Sequence, residues 1–373
     1  MCARKILIGL TLCFCLKVSF AAVTVGNCQP GKISYRTISE AIVVAPAGGV
    51  VEVCPGTYAE QVQIGKPLTI LGVAGTPVIV APSTGLNELP AGSGFYPQVV
   101  ANDAGGEVTL ANLSINGSDA LFNVDGEVFG LDVFCPEGAV QNFIGVYFVN
   151  TPGTVENINV SGQFGASSYG GFGVPIPNCG SGIEFHASGQ ATVRNSTVSD
   201  VGLYGIFSDG ELMADHNIVS GGYGPYGVGI AAATGNITNN TVTGTMAFQS
   251  TIGIKGGDLV KDNVVQSSIY GIAGAGNVMK NTLKNNAISI SEITRVFDNQ
   301  ISAPPTYLDP ACFYGFCNVP TIAVDFNCDT AGQVMKNTIQ GVGIAFAEVP
   351  KGETIPAKNT LIGVQTVSTS CSQ

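Results

Sequence analysis

Brief alternations of aliphatic and polar residues, such as Ile237-Thr238-Asn239 and Thr241-Val242-Thr243, recur along the chain and are punctuated by glycine and asparagine. Period-two patterning with turn residues at both ends predicts short β-strands. From Asn195 the strands fall into a repeating unit: RNSTVSDVGLYGIFSDG, HNIVSGGYGPYGVGIAAATG, NNTVTGTMAFQSTIGIKGGD, DNVVQSSIYGIAGAG and KNTLKNNAISISE. Asn195, Asn217, Asn240, Asn263 and Asn281 mark it at spacings of 22, 23, 23 and 18, and Asn337 and Asn359 are again 22 apart. Asn299, Asn157 and Asn112 extend the column in both directions. Helical solenoids of this period need long runs of helix formers, which are absent here. Three strands per coil of roughly 22 residues, stacked at the ~4.8 Å strand spacing, predict an all-β fold. The expected architecture is a single-stranded right-handed parallel β-helix.

Stacking explains the asparagines. Asn tolerates left-handed backbone and can hydrogen-bond to the turns above and below, so one column is expected to serve both purposes. Near the start, SYRTISEAIVVAPAGG places Ile38, Ala41, Ile42 and Ala45 on one helical face that stops at Pro46 and Gly48. A helix over about 34–45 would cover the open end of the solenoid, whose bare strand edge invites pairing with other chains.

This stretch resembles the start of the pectin-lyase-like superfamily, including pectin methylesterases, in which a helix-forming T-[IV]-x-E-A segment precedes GTY and a strand ending in glycine. The matching residues are Thr37, Ile38, Glu40, Ala41, Gly56, Thr57, Tyr58 and Gly72. The later units resemble the parallel β-helix repeats of the same superfamily, and the resemblance extends over almost all of residues 22–373. It implies a groove over one sheet, flanked by loops, as the place for chemistry. The enzymatic signatures are missing. Asp125-Gly126-Glu127-Val128-Phe129-Gly130 only approximates the methylesterase D-F-I-F-G, tryptophan is absent, and no W-x-D-H, N-x-D or G-H-G of the lyases and polygalacturonases occurs in a matching context.

Composition adds a compartment. Arg4 and Lys5 precede an apolar run from Ile6 to Leu16, and Ser19-Phe20-Ala21 offers a cleavage site, so residues 1–21 read as a signal peptide and 22–373 as one β-helix domain. No later stretch is apolar enough to span a membrane. Eight cysteines follow the leader, an even number that favours disulfides in a secreted or periplasmic protein. Neighbouring pairs suggest Cys28 with Cys54, Cys135 with Cys179, Cys312 with Cys317, and Cys328 with Cys371. Removing the leader's three cations, Arg4, Lys5 and Lys17, takes the formal charge from −11 to −14. Such a chain repels phosphate backbones, which argues against nucleic acid as a partner and disfavours polyanionic glycans unless calcium or a local basic patch bridges them. A monomer is expected. Of the sequons at Asn112, Asn116, Asn159, Asn195, Asn236 and Asn239, several fall on or beside the asparagine column, where a glycan would break the stack.

The glycine-plus-aliphatic strands, from Gly145-Val146 to Gly343-Ile344, point to the groove. Alternation turns the residue after the aliphatic one outward. That row reads Tyr147, Glu184, Phe207, Ala231, Lys255, Ala273, Ser291, Asp325 and Ala345. Glu184 and His186 point out of one strand, and Asp209 is expected beside His186 one coil later. A carboxylate next to an imidazole can make a general base or hold a cation such as calcium, so Glu184, His186 and Asp209 are the candidate catalytic residues. Tyr169, Phe172, Phe207, Tyr223, Tyr226 and Lys255 are candidate contacts for a polysaccharide or cell-surface glycan. Two functions fit: a secreted β-helix that binds or cleaves polysaccharide as a divergent lyase or hydrolase, or a non-catalytic binding module that presents its loops to a partner.

Overall fold

The computed structural model describes residues 22–118, 121–124, 127–130, 142–163, 165–167, 176–220, 227–244, 251–293, 295–308, 318–328, 333–350 and 358–371. Among these, the strands form a 23-stranded and a 12-stranded sheet, parallel throughout, with three separate two-stranded hairpins. Long strands such as Tyr204–Asp215 and Val228–Thr238 bend from one face of the larger sheet to the next, so each coil contributes three strands to three stacked columns. Inward residues form one continuous core that runs from Val25 to Val349. Within it Phe148 and Phe185 of successive coils stack at 4.6 Å between ring centroids.

The cap is a helix, α1, shorter than expected. It spans Ile38–Val44, with Thr37 as N-cap accepting from the Glu40 backbone N–H, and it buries Ile38, Ala41 and Ile42. Its first expected turn is lost because Ser34–Tyr35 pair as a strand with Thr24 and Val25. Strand pairing there satisfies backbone groups that a helix start would leave open.

The asparagine column is two columns. In the buried ladder Asn217, Asn240, Asn263, Asn281, Asn299 and Asn337 pass hydrogen bonds coil to coil, each Oδ1 from Asn240 onward accepting from the backbone N–H and side-chain amide of the ladder asparagine one coil earlier. Left-handed backbone belongs to the residue ahead of each ladder asparagine: His216, Asn239, Asp262, Lys280, Asp298 and Lys336 all have φ near +55 to +62°. Asn112, Asn157 and Asn195 belong to that second column too. The ladder begins at Ser196, whose N–H donates to Asn217 Oδ1 at 3.0 Å, and earlier coils carry Leu113 and Ile158 in its place. Since Asn195 and Asn239 are exposed, the sequon asparagines stand outside the ladder, and steric conflict with the stack gives no argument against their modification.

Two expected disulfides are present, Cys28 with Cys54 and Cys328 with Cys371. The pairings of Cys135 with Cys179 and Cys312 with Cys317 lie outside the described residues, as do the leader and its cleavage site. Among the described residues no helix is long and apolar enough to cross a membrane.

Candidate functional site

The outward row forms as the alternation predicts. Strand pairing sets Tyr147 beside Glu184, then Phe207, Ala231, Lys255, Ala273, Ser291 and Asp325 in one unbroken register. The last coil departs from expectation. Asp325 pairs with Ala347, while Ala345 is buried in the core beside Ala323. Gly343-Ile344 does not repeat the earlier motif, because Ile344 aligns with Ile322 and Phe346 takes the core position. Glycine is needed in the middle coils for close approach: a Cβ on Gly229 would lie 2.6 Å from the Gly253 carbonyl oxygen and 2.5 Å from Val242 Cγ1.

On Ser181–His186, Ile183 and Phe185 fill the core and Glu184 and His186 take the opposite face. Glu184 is nonetheless only 1% exposed. Its Oε2 lies 2.8 Å from His186 Nε2, and its Oε1 is buried with no hydrogen-bond partner. Aromatic rings crowd this pair. Around the His186 ring stand Phe207 at 5.0 Å, Tyr147 at 5.3 Å and Phe95 at 5.8 Å, with Tyr204 packed on Phe207 at 4.7 Å. Burial, then the charges of Glu184 and Asp209, pushes the Tyr147 phenol far above its ordinary range. Burial and then Glu184 raise Tyr204 as well.

Asp209 arrives where the coil spacing places it, with Oδ2 3.8 Å from His186 Nδ1. That is beyond hydrogen-bond reach. Its carboxylate instead accepts from the backbone N–H of Ala187, at 2.9 and 3.0 Å, where the chain turns through a left-handed residue. The turn fixes the carboxylate next to the imidazole without occupying the ring nitrogen.

These contacts define a chemical arrangement. An imidazole that donates Nε2–H to buried Glu184 keeps its Nδ1 lone pair on the half-exposed side, with a carboxylate close enough to stabilise the imidazolium. His186 and Asp209 retain 27% and 43% side-chain exposure, so solution can reach the base. Among the described residues no group of three or more histidine, cysteine or carboxylate side chains is arranged to hold a metal ion.

Of the predicted binding residues, Phe207 is in the site, whereas Lys255 lies two coils on and has no described link to it. Tyr169, Phe172, Tyr223 and Tyr226 lie outside the described residues. Phe95, Tyr147 and Tyr204 join the site through ring contacts that the sequence pattern does not single out. Tyr147 stood next to Glu184 in the outward row, and that adjacency was the available signal.

No protein-family model matches the chain, and no curated protein matches it by sequence. Among solved structures, the lacto-N-biosidase from Eubacterium ramulus aligns over 93% of this chain and 68% of its own, with TM-score 0.50 and 12% identity. The A-module of a mannuronan C-5 epimerase from Azotobacter vinelandii covers 89% of this chain and 90% of its own, with TM-score 0.45 and 14% identity. A periplasmic alginate epimerase covers 90% and 84%, with TM-score 0.40 and 11% identity. At such identities the likeness is one of fold. The stacked parallel sheets define the class as a right-handed parallel β-helix. That architecture is the one expected from the resemblance of its N-terminal segment and repeats.

Proposed function

We propose that this is an exported β-helix protein that binds polysaccharide in the groove over Glu184, His186 and Asp209, with His186 as the general base of a lyase- or hydrolase-type reaction. The observation that carries the reading is the buried Glu184 holding His186 by Nε2 at 2.8 Å. A surface ion pair would contribute little and needs no burial, whereas a desolvated carboxylate is costly unless it is paired. Phe207, half-buried beside the imidazole, suits stacking on a sugar ring, and the buried Tyr147 packs against the imidazole. Export is supported by the N-terminal leader pattern and the two disulfides.

A second reading, a binding module without turnover, draws support from the rest of the row. Ala231, Ala273, Ser291 and Ala347 are small and buried, and of these only Ser291 carries a polar side-chain group. One experiment separates the two. The secreted chain is incubated with a panel of neutral and uronate polysaccharides, and reducing ends, unsaturated products and binding are measured for wild type and Asp209→Ala. Product that disappears in the variant supports catalysis; binding without product supports the module; neither binding nor product on any glycan overturns both.

A further inference from the structure

A pocket of about 150 Å³ opens on the same sheet face, lined by Gln63, Ile64, Gly65, Leu89, Pro90, Val100 and Asn102. We propose that it is a second sugar-binding subsite of the groove, built for an uncharged, hydroxyl-bearing pyranose unit, so that the natural ligand is a neutral glycan. This rests on the reading of the groove given above.

Register places the pocket. Val100 pairs with Tyr147, which pairs with Glu184, and Asn102 pairs with Val149, which pairs with His186. Gln63 pairs with Val100 one coil further out. The pocket therefore lies two strand steps from the Glu184–His186 pair, roughly 10 Å at the ~4.8 Å spacing of neighbouring strands. That distance matches the reach of a short oligosaccharide laid along the groove. The surface between is continuous, since Leu89, Phe95 and Val149 pack against the cluster of Val100, Ile144 and Tyr147, and Phe95 reaches His186.

Chemistry selects the occupant. A cavity of ~150 Å³ admits one six-membered ring. Leu89, Pro90, Ile64 and Val100 give it apolar walls, and its polar groups are the amides of Gln63 and Asn102, with no charged side chain. Asn102 lines the pocket, and its Oδ1 is a buried acceptor without a hydrogen-bond partner. Glu184 Oε1 is a second unpaired acceptor on the same face. Two orphaned acceptors call for donors, which sugar hydroxyls supply, and a pyranose bearing a C6 hydroxyl offers one more donor than its uronate, whose C6 carboxylate only accepts. A uronate would also bring its charge toward Glu184 and Asp209 with Lys255 as the only cation of the described outward row, two coils beyond Phe207. Neutral sugars also narrow the chemistry, because β-elimination requires a carboxyl group to acidify the adjacent carbon, which leaves hydrolysis.

The test uses the full secreted chain and calorimetric titration with gluco-, xylo- and N-acetylglucosamine oligosaccharides of two to six units, beside oligogalacturonates of equal length. Wild type is expected to bind a neutral series, with affinity rising about tenfold from disaccharide to tetrasaccharide. Asn102→Leu, and independently the exposed Gln63→Leu, should reduce that gain to less than twofold. Glu184→Gln should weaken every length. Retention of the full gain in both leucine variants overturns the subsite and leaves the Glu184–His186 site standing. Tighter binding of oligogalacturonates overturns the neutral assignment. Absence of binding by all series overturns the groove reading and the subsite with it.

Discussion

Glu184 Oε2 meets His186 Nε2 at 2.8 Å from a position almost closed to solvent, while the ring's other nitrogen stays on the open side near Asp209. A buried carboxylate accepts more strongly than water, so it selects the tautomer that carries its proton on Nε2. The histidine is thus oriented from below and reactive from above.

Nitrogen-15 spectra of the neutral His186 ring should show Nε2 protonated and Nδ1 bare. In Glu184→Leu the preference should vanish, and any glycan turnover should fall about 100-fold, the low end for loss of a positioned general base. Glu184→Gln, which keeps an acceptor at the same reach, should retain the tautomer and lose less. A wild-type ring protonated mainly on Nδ1 would show that Glu184 does not orient it.

Alkaline titration reads the same buried charge from the tyrosine side. Tyr147 and Tyr204 have their phenol pKa raised, by burial first and by Glu184 next, with Asp209 adding to Tyr147. A group whose folded pKa exceeds its unfolded value of about 10 stabilises the fold fully below that pH. The contribution is lost as pH rises from about 10 through the folded pKa. Absorbance at the tyrosinate band should therefore show a fraction that ionises late, together with falling thermal stability above that pH. Glu184→Gln should bring part of the late fraction forward. Complete ionisation of all tyrosines in one ordinary step would contradict this.

Much of this was legible in the sequence because a solenoid repeats its physics. Each coil meets the same constraints, so the strand alternation, the outward row from Tyr147 to Asp325 and the meeting of His186 with Asp209 could be read from spacing alone. Errors came where neighbouring positions carry one residue type for different reasons. Asn195 looks like Asn217 in sequence but is the left-handed turn residue, and the ladder position beside it is Ser196. At the last coil Ala345 and Ala347 exchange roles because alanine fits both the core column and the groove. Burial of Glu184 is not legible in the sequence, since its neighbours in the row, Tyr147 and Phe207, come from other coils and the His186 ring beside it is packed by Phe95, far from it in the chain.

Lys255 offers a check on charge. It is exposed in the outward row, two strand steps from Phe207. If the glycan is neutral and sits between Gln63 and His186, Lys255→Ala should change its affinity by less than twofold, and raising salt from 50 to 500 mM should have equally little effect, because no ion pair is being screened. Strong salt dependence that disappears in the alanine variant would assign Lys255 to an acidic ligand.

The split between the two asparagine columns makes opposite demands on adjacent residues. Asn263 Oδ1 accepts from Asn240 N and Nδ2, and its own Nδ2 donates to Ile237 O, Lys261 O and Asn281 Oδ1. Asn263→Ala leaves these groups buried and unpaired, and the loss should be on the order of 3 kcal/mol, given ~1–3 kcal/mol for each orphaned group and partial relaxation. Asp262, one residue earlier, has φ of 56°, where glycine is at no disadvantage. Asp262→Gly should stay within about 0.5 kcal/mol of wild type, whereas Asp262→Val should lose ~1–2 kcal/mol through the left-handed strain on its β-branched side chain. Denaturant unfolding, with amide exchange to localise the weakened coils, gives the comparison. The ladder's structural role fails if Asn263→Ala is no more costly than Asp262→Gly, because then the buried amides contribute nothing that water could not replace.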